Sequence, residues 1–141
     1  MILVDTNVLL YATGRPHQLA LAASDALETG TGRMRITPRV LEEFAHAHAR
    51  SGRTRADAYA RCLEWCDVLG PLHHATEEDL SSALELWAER ERLQFADALL
   101  AAQAISLDSF LLSADKAFAE VPGLRFLDLA DPDLLDQLPA N

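Results

Sequence analysis

The sequence predicts an α/β protein in which a mostly parallel central sheet of four to five strands forms the middle of a three-layer α/β/α arrangement. The main observation is that short apolar runs alternate along the chain with longer segments of helical periodicity. Strands separated by helices form a parallel sheet, and right-handed crossovers then cover both of its faces with helices. The length of 141 residues agrees with one domain that buries its own core.

The strands are predicted from short apolar stretches that end at polar or turn-forming residues. The opening stretch Ile2–Val4 is wholly apolar and is followed by Asp5, which is the pattern of a buried strand. Comparable stretches recur further along the chain. The predicted strands are residues 1–5, 34–37, 72–75, 109–113 and 124–129.

Helices are predicted between the strands from apolar spacing and from capping residues. Thr37 precedes Pro38, which suits a first helical turn, and Thr76 with Asp79 resembles a capping box. Glycines within 14–16 and 30–32 interrupt the helical pattern. The predicted helices are residues 7–12, 17–29, 38–50, 55–69, 76–92 and 95–105.

The chain shows no internal repeat and no linker, so residues 1–130 are predicted to form a single domain. The remainder, 131–141, is a C-terminal tail. It contains Pro132 and Pro139, and we expect it to be loosely ordered.

Composition and charge exclude several classes of protein. With 50% hydrophobic and 24% charged residues, the composition is that of a globular chain. The formal charge of −10 argues against a nonspecific duplex-DNA coat protein, which neutralises phosphates with Lys and Arg. No run of 18 apolar residues indicates a membrane span, and the N-terminus lacks the basic region of a signal peptide. We therefore expect a cytoplasmic protein.

Four carboxylates, far apart in sequence, are predicted to meet at one edge of the sheet. Asp5 and Asp115 follow predicted strands, whereas Glu43 and Asp97 lie in the first two turns of helices that start at the same edge. Ligands of parallel α/β sheets bind at the carboxyl ends of the strands. On the helix 38–50, Glu43 flanks the apolar stripe and Glu42 lies nearly opposite it, so Glu43 is the better candidate.

Each acid alone has an ordinary explanation, as a helix cap, a partner of a helix dipole or a surface residue. Together, four like charges repel one another unless cations or protons compensate them. Lys116 is the one base near them in the sequence. All-oxygen ligands favour Mg²⁺ or Mn²⁺ over zinc, so the sequence predicts a site for one of these ions.

Four segments that contain these acids resemble the signature blocks of PIN domains. The segments are VDTNVLL from Val4, PRVLEEF from Pro38, FADALLAA from Phe95 and LLSAD from Leu111. Length and block order also resemble the VapC-type toxins of bacterial toxin–antitoxin pairs. The resemblance covers nearly the whole chain, although Ala96 stands where the family often has a larger aromatic residue.

The resemblance implies a PIN-like fold and a Mg²⁺- or Mn²⁺-dependent endoribonuclease that hydrolyses RNA. Asp5, Glu43, Asp97 and Asp115 would be its catalytic and metal-binding acids, supported by Thr6, Asn7 and Ser113. It also implies a homodimer and a cognate antitoxin as partners. The net negative charge would favour an antitoxin segment that carries Arg or Lys into the acidic site.

One stretch of the chain has the charge that RNA binding requires. Residues 33–61 hold seven arginines against three acids, a formal charge of +4 that leaves −14 for the remainder. Candidate RNA-binding residues are Arg39, Arg50, Arg53 and Arg55. The alternative is that these arginines lie on an ordinary solvated helical face.

Two other classes of protein remain open at this stage. A receiver-like phosphoacceptor also places acids and Mg²⁺ at strand ends, but it would need an acidic pair after the first strand and a Lys after the last. Here Asp5 stands alone and the one Lys is Lys116. A noncatalytic interaction module on an α/β fold is the second, although such a module would have no need of all four acids.

Overall fold

The computed structural model describes residues 1–14 and 16–140 and has a four-stranded, wholly parallel sheet at its centre. The strands lie in the order β2-β1-β3-β4. Their bounds are Ile2–Val4 for β1, Met34–Arg35 for β2, Phe110–Ser113 for β3 and Arg125–Asp128 for β4. The predicted fold class is confirmed.

Seven α-helices flank the sheet in the described residues. They are α1 (Thr6–Ala12), α2 (Ala20–Thr29), α3 (Pro38–Arg50), α4 (Arg55–Leu69), α5 (Glu77–Glu89), α6 (Phe95–Ser106) and α7 (Leu134–Gln137), with a 3₁₀ helix over Lys116–Glu120 after β3. The caps explain the starts of α3, α4 and α5. Thr37 accepts the backbone N–H of Val40, and Thr54 and Thr76 each open a capping box.

The strand order creates a crevice between β1 and β3. From β1 the chain crosses to β2 on one side, whereas from β3 it continues to β4 on the other. Right-handed crossovers in opposite directions lie on opposite faces of the sheet, so the loops after β1 and β3 diverge. All four strands are parallel, and their carboxyl ends share the edge where this crevice opens.

The core consists of the sheet and the helix faces packed on it. β1 is completely buried, and α6 buries Ala98 and most of the segment 100–104. α5 and α6 form the most extensive helix pair of the fold, because the small alanines of α6 allow the two helices to approach closely. Within the described residues, no helix is long and apolar enough to span a bilayer.

One predicted strand is missing from the structure, and the ends of other predicted elements differ by up to three residues, as in α5, which ends at Glu89 and not at residue 92. The strand predicted at 72–75 is absent, because only His73 donates a backbone hydrogen bond toward the sheet, to the carbonyl of Ile36, while Pro71 has no N–H and His74 is exposed. The helix predicted from residue 17 begins at Ala20. There, the imidazole of His17 accepts the backbone N–H of Leu19 and forms a turn instead.

The predicted break at 14–16 includes Arg15, and the predicted tail includes Asn141; both lie outside the described residues. Within the tail, α7 buries Leu134 in the main core and packs against α2 and β4. The loose order expected of the tail as a whole stays a prediction. The domain boundary at residue 130 stays a prediction.

Candidate functional site

The four candidate acids all lie at the carboxyl edge of the sheet. Asp5 follows β1 at the crevice, and Asp115 follows β3 on its other side. Glu43 is in the second turn of α3, and Asp97 is in the first turn of α6. A narrow pocket at this edge is lined by Asp5, Glu43 and Asp97 together. The expected convergence is thus observed for these three side chains, with Asp115 beside Asp97.

Asp5 is the most deeply placed of the four acids, with 7% of its surface exposed. Its Oδ1 accepts the backbone N–H of Thr6 at 2.7 Å, which caps α1. Its Oδ2 accepts the hydroxyl of Ser113 at 2.6 Å and the side-chain amide of Asn7 at 3.2 Å. Three hydrogen-bond donors, one from β3 and two from α1, therefore hold one carboxylate in a fixed orientation.

Burial raises the pKa of Asp5 from 3.8 to about 6. The hydrogen bonds from Ser113 and Thr6 favour the charged form and oppose this rise, whereas the nearby carboxylates of Asp97 and Glu43 add to it. Without a cation, the site therefore retains a proton at pH values where an exposed aspartate is ionised.

Glu43 has a different partner for each of its carboxylate oxygens. Oε2 accepts the hydroxyl of Thr6 at 2.9 Å, and Oε1 lies 3.3 Å from Nε of Arg39, one turn earlier on α3. The side chain is 35% exposed, against 57% for Glu42. This confirms that Glu43 faces the partly buried side of the helix and that Glu42 is a surface residue.

Asp97 is half-buried at the start of α6. Burial raises its pKa, and the carboxylates of Asp115 and Glu43 raise it further, while a hydrogen bond from the backbone of Gln94 opposes both effects. The charges of Asp115 and Glu43 therefore disfavour the ionised form of Asp97.

Asn7 and Ser113 connect the two sides of the crevice. The amide of Asn7 donates to Ser113 Oγ at 3.1 Å, and Asn7 Oδ1 accepts the backbone N–H of Ala114. Ser113 Oγ also accepts the N–H of Asp115, whose own carboxylate caps the 3₁₀ helix through Ala117. The predicted supporting residues Thr6, Asn7 and Ser113 thus all contact the acids or one another.

The four acids offer the kind of ligand atoms that a divalent metal ion prefers. All its ligating atoms would be carboxylate oxygens, which suit Mg²⁺ and Mn²⁺. Among residues 1–14 and 16–140, Glu43 is the only one of the four acids that forms an ion pair, so most of the negative charge lacks a compensating cation. In the same residues no group of three or more Asp, Glu, His or Cys side chains is arranged to hold an ion.

The candidate RNA-binding arginines do not lie together. Arg39 lines the acidic pocket, whereas Arg50 ends α3 eleven residues later, roughly 16 Å away by helical rise. Arg53 and Arg55 share the α3–α4 turn with Arg50, and Arg53 contacts the carbonyl of Thr13 at 3.4 Å. The basic segment therefore divides into one arginine at the acids and a cluster at the far end of the helix.

Sequence reasoning missed Gln103 as a residue of the site. It lies on α6, lines the pocket together with Asp97 and is buried. Its amide is directed toward the backbone carbonyl of His73 at 3.5 Å. The available signal was a single amide within the Ala- and Leu-rich stretch that follows Asp97.

Comparison with known proteins adds a family and a fold. The PIN domain family matches residues 2–124. Ribonuclease VapC7 from Mycobacterium tuberculosis is 36% identical over 127 residues, which is 86% of each chain.

Two solved structures share the fold. VapBC2 from Rickettsia felis, bound to a promoter DNA fragment, aligns with a TM-score of 0.73 at 20% identity, over 91% of this chain and 98% of that one. A toxin–antitoxin complex from Klebsiella pneumoniae aligns with a TM-score of 0.69 at 20% identity, over 88% and 95%.

Proposed function

Because the chain belongs to the PIN domain family and, within it, to the VapC ribonucleases, we propose that it is a Mg²⁺- or Mn²⁺-dependent endoribonuclease, the toxin of a toxin–antitoxin pair. The observation that carries this proposal is the pocket shared by Asp5, Glu43 and Asp97. These acids come from three separate elements, and their charge is largely uncompensated. Phosphodiester hydrolysis in such a site requires a cation.

Asp5 and Asp97 would be the principal ligands of the metal ion, with Glu43 and Asp115 completing the site or orienting water. When bound, the ion would lower the pKa of a water molecule and withdraw charge from the phosphate. Ser113, Asn7 and Thr6 hold the carboxylates of Asp5 and Glu43 in place. Such support fixes the geometry of ligands and strengthens a site.

The antitoxin is proposed as a protein that inhibits the enzyme by covering this acidic pocket. A related solved structure is a toxin–antitoxin complex, and the formal charge of −10 favours a partner with Arg or Lys at the contact. The proposed place of action is the cytoplasm, where RNA and such a partner would be met.

A homodimer is also part of the proposal. Three exposed apolar side chains on α5 support it, since Leu80, Leu84 and Trp87 are spaced to lie on one face and are 40%, 54% and 49% exposed. Sedimentation of the parent and of Leu84→Glu would test this directly, since a charge on the stripe should convert a dimer to a monomer.

The activity is tested by incubating the purified chain, free of any partner, with structured and single-stranded RNA. We expect cleavage with Mg²⁺ or Mn²⁺, none with EDTA, and a loss of at least about 100-fold in Asp97→Asn, because its ligand charge disappears. Glu78→Gln is the matched control. This exposed acid is at the start of α5, beside the Asp79–Ser106 contact at the other end of α6.

Equal cleavage by Asp97→Asn, or cleavage that persists in EDTA, would refute the metal-dependent site. A folded, metal-binding chain that cleaves neither kind of RNA would indicate either a very selective substrate or the noncatalytic interaction module. The receiver-like alternative gains no support from the described residues: Asp5 is followed by Thr6 and Asn7, both of which serve the carboxylates.

A further inference from the structure

Arg39 is the only basic side chain that lines the acidic pocket in the part of the chain the structure describes. Its Nε lies 3.3 Å from Oε1 of Glu43, and its Nη1 lies 3.4 Å from Oε1 of Glu42. The guanidinium therefore faces a candidate metal ligand on one side and a surface acid on the other. It occupies the oxygen of Glu43 that Thr6 leaves free.

The contact between Arg39 and Glu43 is weak enough to be exchanged. The side chain of Arg39 is 52% exposed, and ion pairs this open to water contribute little to stability. A divalent ion carries twice the charge of a guanidinium, so it would displace Arg39 from Glu43. Arg39 would keep its equally weak contact with Glu42, and its place in the first turn of α3 would keep it beside the pocket.

A guanidinium released beside a site for phosphodiester cleavage has an evident ligand. Its planar fork matches two oxygens of one phosphate. Among the described residues that line the pocket, no other side chain is cationic. Arg50, Arg53 and Arg55 are too distant, since they lie at the other end of α3.

We propose that Arg39 is an exchangeable counter-ion: it pairs with Glu43 while no metal ion is bound, and it contacts an RNA phosphate at the pocket once an ion has taken Glu43. This inference rests on the proposed function. It assigns Arg39 a role as a substrate-binding residue whose availability depends on metal binding.

The first test measures Mn²⁺ binding to the full chain by calorimetry, without RNA. Arg39→Gln should bind Mn²⁺ roughly threefold more tightly than the parent, because a competing and repelling positive charge has been removed. Arg39→Lys keeps the charge and should remain close to the parent. The control is Arg125→Gln, which breaks an ion pair with Asp108 at the opposite edge of the sheet.

The second test separates KM from kcat for a single-stranded RNA oligonucleotide at saturating Mn²⁺. Arg39→Gln should raise KM by about tenfold, the loss of one charge-assisted contact, with a smaller effect on kcat. Arg39→Lys should restore KM only in part, since it lacks the fork. Arg125→Gln should match the parent.

An unchanged Mn²⁺ affinity in Arg39→Gln would overturn the counter-ion role, and an unchanged KM would overturn the phosphate contact. Either result leaves the nuclease proposal intact if the parent still cleaves RNA. A parent that binds no Mn²⁺ and cleaves no RNA would overturn both.

Discussion

Asp5 combines two properties that act in opposite directions on its charge. It caps α1 and accepts hydrogen bonds from Ser113 and Asn7, which favour the carboxylate. Its burial and its acidic neighbours favour the protonated form and prevail, with a pKa of about 6. A residue used only as a cap would lie at the surface with a lowered pKa, as Asp57 does on α4. Asp5 thus destabilises the metal-free fold in a way that a bound cation would relieve.

This gives a prediction for stability against pH in the absence of metal. The unfolded chain ionises Asp5 near pH 3.8 and the folded chain near 6, so between these values the folded state binds more protons and stability falls as pH rises. The loss reaches about 3 kcal/mol above pH 6. Urea unfolding of the parent and of Asp5→Asn at pH 4 and pH 7.5 measures it.

From pH 4 to pH 7.5, the free energy of unfolding of the parent should fall relative to that of Asp5→Asn. Addition of Mn²⁺ at pH 7.5 should stabilise the parent more than the variant. Glu78→Gln serves as the control, since this acid is exposed. A constant difference between parent and Asp5→Asn across the pH range would contradict the shifted pKa.

At the scale of elements, α5 and α6 form a unit that sets the position of Asp97. The alanines of α6 let the two helices approach closely, and Ser106 near the end of α6 donates to Asp79 Oδ1 at 2.7 Å. Asp79 also accepts the backbone N–H of Thr76, so one buried carboxylate both caps α5 and binds α6. This contact near the C-terminal end of α6 thereby helps to fix the position of the whole helix, including Asp97 in its first turn.

Comparing Asp79 with Asp57, the acids of the two capping boxes, measures the contribution of the contact between Asp79 and Ser106. Asp79→Ala should lower the free energy of unfolding by about 2 kcal/mol, because it removes the acceptor of the Thr76 backbone N–H and one of the two acceptors of the Ser106 hydroxyl, the other being the carbonyl of Gln103. Asp57→Ala removes the equivalent bond from the Thr54 backbone N–H at the start of α4, where the carboxylate is exposed, and should destabilise clearly less. Urea unfolding at pH 7 compares them, and equal losses would argue against the link between α5 and α6.

The whole molecule separates its charges along α3. The acids and Arg39 lie at the carboxyl edge of the sheet, whereas Arg50, Arg53 and Arg55 lie around the α3–α4 turn. An RNA strand that enters the acidic pocket and follows α3 would meet this second cluster at its distal end. Such a cluster would contribute to holding long RNA and would not touch the reacting phosphate.

Replacing Arg50, Arg53 and Arg55 together with Gln should weaken binding of long RNA and reduce the slope of log affinity against log salt by about 2. Turnover of saturating RNA should stay near that of the parent. The control replaces Arg90, Arg92 and Arg125 with Gln, which changes the net charge equally but outside segment 33–61. Fluorescence anisotropy at several salt concentrations gives the slopes, and equal slopes in the two triple variants would exclude a specific role for the cluster.

The fold class, most element positions and the edge at which the acids meet follow from local signals in the sequence. Apolar periodicity and capping residues such as Thr37 and Thr76 are local signals, and parallel topology then brings strand ends to one side. The sequence also predicted a strand at 72–75 that is absent, because an apolar stretch forms a strand only where a neighbour pairs with it.

The contacts within the site, in contrast, depend on the tertiary structure. The bond from Thr6 to Glu43, the bridge from Asn7 to Ser113 and the burial of Gln103 join residues tens of positions apart. The tertiary structure also separated Arg39 from the other arginines, which the composition of 33–61 had grouped. Helical rise and the packing of α3 set these distances, and neither is visible in a count of charges.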